Sequence, residues 1–326
     1  MRIGVYSPNW IGDSVIAIPF IQTLRIQEPE AEIIVVCKDW VAGVYENHPS
    51  VTAVLPLSQS HLNGIINLLK TGTGLKKYDF DKFFTLTDSF RSALVLWLSK
   101  AEKRYGYAGQ MRSILLTNSI PLPAQIMHRS EKYLSLISSS LKSFGKPKIH
   151  LSNSEIKWAN QEIRRLGLIR PIALFPYSIA SNRTIPGNIL KDWIKDSGED
   201  HLVFGSKNDI NSAKKLIGLC DGVSIQSVCG KYSLRESIAL ISTCKFALAA
   251  DSGLGHISAA LGIPTVSFFG VGKDTVTAPR GDKNIIIKYC SPCLGDLCIG
   301  QNEDRTCIKE ISRSNIEYAV NSMTNL

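Results

Sequence analysis

Short apolar runs alternate with longer segments of mixed apolar and polar residues along the first half of the chain. Four of the runs are typical of buried strands, at residues 3–6, 33–37, 51–57 and 83–86. The segments between them favour helices, as at residues 15–27 and 91–100. Alternation of strand and helix predicts a mostly parallel sheet.

The same alternation begins again after a polar joint at residues 146–153. Predicted strands follow at residues 172–175, 202–205, 223–226, 246–250 and 265–269. Predicted helices lie at residues 213–219, 234–242, 255–262 and 311–323, and the last of these could pack back on the first half. Because 326 residues exceed what one hydrophobic core usually organises, we expect two α/β domains, residues 1–150 and 151–326. Ligands are expected outside the carboxyl ends of the strands, in a cleft where the domains face each other.

Composition and charge narrow the function classes. Hydrophobic residues make up 44% and charged residues 20%, which is typical of a globular enzyme. The net charge of +9 is concentrated in residues 89–148, which hold ten Lys and Arg against two Glu. Nucleic acid, anionic lipid headgroups and phosphorylated substrates all fit such a field. We expect no nucleic acid as partner, because neither interleaved surface aromatics nor a recognition helix accompanies the charge.

The sequence carries no pattern that predicts secretion or membrane insertion. Its start lacks the long apolar stretch of a signal peptide, and no run approaches ~20 uncharged apolar residues. We therefore expect a cytoplasmic protein. The eight cysteines are accordingly expected to be reduced and not to form a disulfide framework.

The loop after the first predicted strand, residues 7–14, carries Asp13. Two familiar phosphate loops are missing, since neither G-x-x-x-x-G-K-[ST] nor, after this strand, G-x-G-x-x-G occurs. A proline and a glycine in the loop favour a turn before a helix from Val15, which puts Asp13 at a helix start. Asp13 is then either an N-cap, which Asp favours, or a catalytic carboxylate, and the two roles are compatible.

A second group of small and polar residues follows the predicted strand at residues 246–250. Its sequence is Asp251-Ser252-Gly253-Leu254-Gly255-His256. Strand, small-residue turn and helix in this order leave backbone N–H groups of Ser252, Gly253 and Leu254 at the positive end of a helix dipole, which suits a diphosphate. The alternative for Asp251 and His256 is a cap and a core residue.

Two further loops lie at corresponding strand ends of the second half. Arg183, within residues 176–186, could clamp phosphate oxygens in a bidentate manner. Ser206 or Asp209, in the loop after residue 204, could meet a ribose or the next helix N-terminus. An ordinary solvated loop is the alternative for each.

A late group of cysteines has the spacing C-x2-C-x4-C-x8-C, formed by Cys290, Cys293, Cys298 and Cys307. Four thiolates could surround a structural zinc ion. The spacing lacks the two C-x2-C pairs of a zinc ribbon, however, so a metal-free group of thiols is favoured. The other four cysteines lie in or beside apolar segments and are predicted to be core residues: Cys37, Cys220, Cys229 and Cys244.

These motifs resemble those of the lipopolysaccharide heptosyltransferases, glycosyltransferase family 9, and the likeness runs over essentially the whole chain. It is most similar to the type II branch, which uses ADP-heptose. The stretches that carry the resemblance are residues 9–13 (NWIGD), 88–93 (DSFRSA), 104–107 (RYGY), 183–186 (RTIP), 251–256 (DSGLGH) and 290–293 (CSPC). Each is modest alone, but their order and spacing are specific.

The resemblance implies a GT-B architecture, in which two Rossmann-like domains hold the acceptor and the donor respectively. It implies an inverting transfer from ADP-heptose with no cofactor and no catalytic metal, and Asp13 matches the general base. The positions that match the donor site are Arg183, Ser206, Asp209, Asp251, Ser252, Gly253, Leu254 and His256. Arg183 stands where the family often has Lys, and Ile185 where it usually has Trp, which affects the expected shape of the donor pocket.

The resemblance also implies an anionic glycolipid acceptor, the Kdo-bearing inner core of lipid A. The residues expected to bind it are Asn9, Trp10, Arg91 and Arg112. A lipid-anchored acceptor predicts peripheral contact with the cytoplasmic face of the inner membrane. The nearest alternatives are a transferase of the same fold that uses another nucleotide sugar, such as a UDP-N-acetylhexosamine, or a nucleotide-sugar epimerase, because a fold does not fix the sugar.

Overall fold

The computed structural model describes residues 1–138, 145–270, 272–288, 308 and 311–324. The chain forms two compact units, Met1–His150 (unit 1) and Leu151–Leu326 (unit 2). Each unit contains a six-stranded parallel sheet and surrounding helices. The α/β class predicted from the alternating pattern is confirmed.

Unit 1 contains six strands and six α-helices in its described residues. The strands are β1 (Arg2–Tyr6), β2 (Glu32–Lys38), β3 (Ala53–Leu57), β4 (Lys82–Thr85), β5 (Lys103–Tyr107) and β6 (Asn118–Ile120). The helices are α1 (Ile11–Ile16), α2 (Ile18–Gln27), α3 (Gln59–Leu62), α4 (Gly64–Gly74), α5 (Phe90–Leu98) and α6 (Arg129–Leu134). Short 3-10 helices cover Asp39–Val44, Leu75–Tyr78 and Arg112–Leu115.

Unit 2 contains six strands and seven α-helices in its described residues. The strands are β7 (Ile172–Phe175), β8 (His201–Val203), β9 (Ile225–Ser227), β10 (Ala247–Ala250), β11 (Thr265–Phe269) and β12 (Asn284–Lys288). The helices are α7 (Asn153–Arg165), α8 (Gly187–Ser197), α9 (Ile210–Leu219), α10 (Leu234–Ile241), α11 (Gly253–Ala260), α12 (Asp274–Thr277) and α13 (Arg313–Thr324). Short 3-10 helices cover Ser181–Arg183 and Lys207–Asp209.

The two sheets share one topology. The strand order is β3-β2-β1-β4-β5-β6 in unit 1 and β12-β11-β10-β7-β8-β9 in unit 2. Counted from the first strand of each unit, these are the same order read from opposite edges. In each sheet the chain builds one side and then crosses to the other, between β1 and β4 or between β7 and β10. Such crossover points, at the carboxyl ends of the strands, are where doubly wound sheets bind ligands.

The central position of β1 explains its composition. A parallel strand with neighbours on both sides is covered on both faces and needs a nearly continuous apolar run. Ile3 and Val5 are completely buried, and Gly4 pairs with Phe83 of β4. A Cβ atom on Gly4 would lie 2.6 Å from Cδ2 of Phe83, so the glycine leaves the space that the ring occupies. This packing fixes the end of β1, from which the first candidate loop emerges.

The last described helix, α13, belongs to the core of unit 2. Its residues Ile316, Ala319 and Met323 are buried and recur at helical spacing. They join the cluster that contains Phe268 of β11, and α13 packs against α8, β11 and β12. The helix predicted at residues 311–323 is confirmed.

Two features of the fold differ from the sequence-based expectation. The single helix predicted at residues 15–27 is two helices, which meet at Ala17. Pro19, in the first turn of α2, has no N–H to donate to the carbonyl of Val15, so the helix cannot continue unbroken. In addition, the sequence pattern does not predict β5, β6 or β12. Strands β5 and β6 mix charged or polar residues with few apolar ones, and β12 is a half-exposed strand at the edge of its sheet.

Candidate active site

Asp13 lies at the crossover point of the unit 1 sheet, in the segment that follows β1. The strand ends at Tyr6 and α1 begins at Ile11, so Asp13 is the third residue of the helix. The N-cap position belongs to Trp10, which makes no side-chain capping hydrogen bond. The predicted helix start at Val15 and the N-cap alternative for Asp13 are therefore wrong.

The carboxylate of Asp13 is engaged by a distant cation instead of a helix end. Asp13 Oδ1 accepts a hydrogen bond from Nη1 of Arg129, the first residue of α6. The Asp13 side chain is 17% exposed and the Arg129 side chain 36%. Burial by itself would lower the pKa of Arg129, but the nearby Asp13 carboxylate, together with Tyr133 and Asp88, raises it overall. Local sequence patterns do not reveal a partner as distant as Arg129. They indicate a capping role for Asp13.

A buried group of hydroxyls holds the segment that presents Asp13. Tyr45 Oη lies 2.6 Å from Ser7 Oγ and donates to the carbonyl of Ser14 at 3.2 Å. Both serine hydroxyls also donate to the carbonyl of Pro8, at 3.0 and 3.2 Å. Burial raises the pKa of Tyr45 well above its usual range, so the phenol stays neutral. This group cannot be predicted from the sequence, since two serines and a tyrosine at wide spacing form no local pattern.

Asp88, in the loop after β4, receives two cations. Arg112 Nη2 donates to Asp88 Oδ1 at 2.8 Å, and Lys132 Nζ donates to Asp88 Oδ2 at 2.5 Å. Partial burial alone would raise the pKa of Asp88, but the hydrogen bonds from Lys132 and Arg112 lower it. Arg112 also donates to the carbonyl of Thr87 at 2.6 Å, and its side chain is only 1% exposed. This placement does not support the predicted direct contact of Arg112 with an acceptor and makes it an internal support of the loop.

The other predicted acceptor residues of unit 1 lie at or near the carboxyl edge of the sheet. Trp10 is 59% exposed. The carbonyl of Asn9 accepts a hydrogen bond from Nε1 of Trp40 at 2.9 Å, and Lys38 Nζ lies 4.5 Å from the centre of the Trp40 ring. Arg91 is exposed at the start of α5 and donates from Nη2 to the carbonyl of Leu62. Aromatic and cationic groups thus share the edge that carries Asp13.

In unit 2, the loops after β7 and β10 are joined by polar contacts at the crossover point. Arg183 Nη1 lies 3.1 Å from Asp251 Oδ2, and the Asp251 side chain is 7% exposed. Ser178 Oγ donates to the carbonyl of Asp251 at 3.2 Å. Arg183 and Asp251 are predicted to share one site because they follow corresponding strand ends, and the structure brings them together. The guanidinium is thereby held beside the turn that opens α11.

The turn after β10 has the geometry of an anion site. As in any helix, the first-turn N–H groups of Gly253, Leu254 and Gly255 have no carbonyl partner within α11, and the N-cap residue Ser252 makes no side-chain capping bond to them. Ser252 Oγ is buried without a hydrogen-bond partner among the described residues. His256 follows in the same turn and is 5% exposed. Amides, a hydroxyl and the helix dipole therefore favour an anion here.

Ser206 and Asp209 form a local capping arrangement after β8. Asp209 Oδ2 accepts hydrogen bonds from the backbone N–H of Ser206 at 2.7 Å and from its hydroxyl at 2.6 Å. Of the two roles open to these residues, the helix start is the one that the structure shows. A Cβ atom on Gly205 would lie 2.9 Å from Cys229 Sγ, so the neighbouring loops approach closely at this strand end.

Tyr177 is a polar residue of this region that sequence reasoning missed. It directly follows Pro176 in the loop after β7, and its hydroxyl is buried without a hydrogen-bond partner among the described residues. Burial raises the pKa of Tyr177, and the nearby Cys229 and Asp209 raise it further. A neutral donor hydroxyl is thus available beside the strand ends that carry Asp209.

The cysteines separate into two groups. Cys37, Cys220, Cys229 and Cys244 are free and buried, as predicted. The four residues of the zinc hypothesis, Cys290, Cys293, Cys298 and Cys307, lie outside the described residues. Within the described ranges, no group of three or more His, Cys, Asp or Glu has the arrangement of a metal site.

Comparison with known proteins agrees with this architecture. The solved glycosyltransferase family 9 protein of Veillonella parvula DSM 2008 superimposes with a TM-score of 0.91 at 18% identity, over 99% of this chain and 96% of that one. The solved E. coli ADP-heptose LPS heptosyltransferase II superimposes with a TM-score of 0.85 at 23% identity, over 99% and 98%. The two parallel sheets are therefore those of a GT-B fold, as the resemblance implied.

The sequence comparisons define the family. Lipopolysaccharide heptosyltransferase 2 of Escherichia coli K12 is 26% identical over 310 residues, which cover 88% of each chain. The sequence profile of glycosyltransferase family 9 (heptosyltransferase) matches residues 68–303, well over half of the chain. The protein belongs to glycosyltransferase family 9 and is a glycosyltransferase.

Proposed function

We propose that the protein transfers heptose, with inversion, from ADP-heptose to the inner core of lipopolysaccharide. The observation that carries the proposal is the anion site of unit 2, where Arg183 lies beside the first turn of α11. A guanidinium and free helix amides suit the diphosphate of a nucleotide sugar. The names of the relatives, which specify heptose and lipopolysaccharide, support the sugar and the acceptor.

The proposed chemistry assigns the proton to unit 1 and the leaving group to unit 2. As the acceptor hydroxyl attacks the anomeric carbon, its proton passes to the Asp13 carboxylate. The bond between that carbon and the diphosphate oxygen breaks, and ADP leaves with the electron pair. Attack on the face opposite the leaving group inverts the configuration. The N–H groups of Gly253 and Leu254, together with Arg183, stabilise the charge that develops on the diphosphate.

Other residues have supporting roles in the proposal. Asp251 holds Arg183 at the turn, while His256 lies at the donor sugar or diphosphate. Ser206 and Asp209 face the ribose in addition to making their local capping contact. Asn9, Trp10 and Arg91 receive the acceptor sugars. The chemistry requires no cofactor and no catalytic metal, because cationic groups and helix amides already meet the diphosphate.

The proposed acceptor is anchored in a bilayer by lipid A, so the protein works in the cytoplasm at the inner membrane surface and contacts it peripherally. The basic excess of residues 89–148 supports recruitment of an anionic glycolipid. Exposed charges act over about 10 Å at 0.1 M salt, so this recruitment is expected to weaken with ionic strength.

Product analysis tests the proposal. Acceptor lipid with a Kdo-bearing inner core is incubated with the protein and, separately, with ADP-heptose or a panel of UDP-sugars, and the lipid is then analysed by mass spectrometry. We expect the mass of one added heptose with ADP-heptose alone. Addition of an N-acetylhexosamine from a UDP-sugar, or conversion of the free nucleotide sugar without transfer, would show that the donor or the reaction is a different one.

A further inference from the structure

Two neighbouring helices of unit 1 expose large apolar side chains. In α4, Leu68 and Gly72 face inward, and a Cβ atom on Gly72 would lie 2.7 Å from Cβ of Leu98 in α5. Ile65, Ile66 and Leu69 of the same helix are open to solvent, with exposures of 61%, 64% and 39%. The helix therefore exposes large apolar side chains besides those that it packs against α5.

The adjacent helix α5 continues the exposed apolar character. Phe90 and Trp97 are 40% and 43% exposed, and α4 packs directly against α5. Seven residues separate the two aromatics, which puts them on one face of α5. We call Ile65, Ile66, Leu69, Phe90 and Trp97, with the lysines around them, the α4–α5 surface.

The charges within the two segments that form the α4–α5 surface are of one sign, and the exposed residues Asp79, Asp88 and Glu102 lie just outside these segments. Residues 58–78 contain Lys70, Lys76 and Lys77 and no Asp or Glu, and residues 89–101 contain Arg91 and Lys100 and no Asp or Glu. The four lysines are exposed. Lys100 Nζ lies 5.6 Å from the centre of the Trp97 ring. Exposed aliphatic side chains, an exposed tryptophan and an excess of cations are the combination that binds at the interface of an anionic bilayer.

Other occupants fit this combination less well. A second copy of the chain would place like cations opposite each other in a symmetric interface, which is unfavourable. Single-stranded nucleic acid is bound by aromatic stacking, whereas three of the five exposed residues are aliphatic. No helix in the described part of the chain has the length and hydropathy needed to cross a bilayer.

We propose that the α4–α5 surface docks on the surface of a bilayer with anionic headgroups, with Ile65, Ile66, Leu69 and Trp97 in the interface and the lysines at the phosphates. The proposal deepens the membrane contact of the proposed function and rests on it, because a lipid-anchored acceptor gives this contact its purpose. It assigns the contact to particular residues of α4 and α5.

Vesicle sedimentation without donor or acceptor tests the proposal on the full chain. Wild-type protein should sediment with vesicles of phosphatidylethanolamine and phosphatidylglycerol and only weakly with phosphatidylcholine. Ile65→Ser/Ile66→Ser should reduce binding about tenfold or more, since two large aliphatic groups no longer enter the interface. Lys70→Glu/Lys77→Glu should reduce binding to the anionic vesicles most at low salt.

Matched controls come from exposed residues of unit 2. Ile169→Ser removes an 83% exposed isoleucine, and Lys214→Glu/Lys215→Glu reverses two exposed lysines of α9. Both should bind vesicles like the wild type. A thermal melt verifies that every variant is folded, and a variant with a lowered melting temperature is replaced by Ile66→Gln alone, for which a loss of binding is again expected.

Three results would exclude the docking surface. The first two are that wild-type protein does not sediment with anionic vesicles, or that the Ile65→Ser/Ile66→Ser variant sediments as much as the wild type. The third is that light scattering shows a wild-type dimer which this variant converts to a monomer. Failure of the proposed reaction is distinguishable, because it appears in product analysis with a soluble, lipid-free acceptor fragment. Heptose transfer to that fragment without vesicle binding would exclude only the docking surface. Vesicle binding without transfer would exclude only the proposed reaction.

Discussion

The carboxylate of Asp13 accepts a hydrogen bond from the guanidinium of Arg129, 116 residues further along the chain. A proposed general base is thus held in position by a cation from another helix. Asp88 also lies near Arg129, and its charge favours the protonated form of the guanidinium. The pair therefore fixes where the Asp13 carboxylate stands at the unit 1 crossover.

Removal of the Arg129 guanidinium should slow turnover. In Arg129→Met the Asp13 carboxylate loses the hydrogen bond that positions it, so kcat should fall about tenfold or more while ADP affinity is preserved. Arg129→Lys should restore most of the wild-type kcat. Arg2→Met is the matched control, because Arg2 pairs with Glu32 at 2.6 Å at the opposite end of β1. An unchanged kcat for Arg129→Met would show that this arginine does not position the base.

Removal of the carboxylate itself should abolish most of the turnover. Asp13→Asn keeps the size of the side chain and can accept a hydrogen bond from Arg129, but it cannot take a proton from the acceptor. We expect kcat to fall about 10²- to 10⁴-fold, while ADP binding measured by calorimetry is preserved. Because Asp13 does not cap α1, this loss has no helix-capping component. Near-normal turnover would exclude Asp13 as the base.

Arg183 should act on the nucleotide and not on the acceptor. Arg183→Ala removes a charged donor at the turn before α11, so ADP affinity should fall about tenfold or more. The Michaelis constant for the acceptor should barely change. Arg313→Ala provides a control, since Arg313 is an ion-paired arginine of α13, with Nε 2.6 Å from Glu317. Equal ADP affinity for wild type and Arg183→Ala would remove Arg183 from the diphosphate site.

The central strands could be predicted from the sequence because burial on both faces demands an apolar run. Strands β7 and β11 begin and end at the predicted residues. Strand β5 begins with Lys103 and Arg104, and β6 is a three-residue strand with two exposed positions, so neither has such a run. Their positions depend on pairing with neighbours, which local patterns do not contain.

The candidate site was predictable only where its chemistry is local. The turn from Asp251 to Gly255 could be recognised because strand, small residues and helix follow each other directly. The partners of Asp13 and Asp88, by contrast, come from α6 and from the 3-10 helix at Arg112, and only the folded chain brings them together. Tyr45, which supports the Asp13 segment from inside unit 1, is also far from that segment in sequence, so local patterns do not predict its contact.

Arg112 should matter for stability more than for acceptor affinity. Its guanidinium is buried and bonds the loop after β4 at Thr87 and Asp88. Arg112→Ala should lower the free energy of unfolding by about 3 kcal/mol, because removal of one partner leaves buried polar groups without a hydrogen bond. Chemical denaturation without ligands measures this loss. A selective rise of the acceptor Michaelis constant with unchanged stability would return Arg112 to the acceptor site.

His48 should make the protein less stable in acid. Burial and the neighbouring His150, whose ring centre lies 5.0 Å away, lower the pKa of His48 from 6.5 to about 4. Nδ1 accepts a hydrogen bond from the N–H of Ser50 at 3.1 Å, so this nitrogen carries no proton in the folded state. Between these pH values the unfolded chain binds a proton that the folded chain does not. The free energy of unfolding should therefore decrease as the pH falls from 6.5 to 4, by about 3 kcal/mol in total.

The His48→Gln variant isolates this contribution, because glutamine accepts a hydrogen bond but does not titrate. Urea denaturation at pH values from 7 to 4 should give a shallower decrease for the variant than for the wild type, with the difference confined to the interval below 6.5. Carboxylates that are ion-paired in the folded state contribute equally to both proteins and cancel in the comparison. Parallel curves for the two proteins would show that His48 takes up its proton as readily in the folded chain as in the unfolded one.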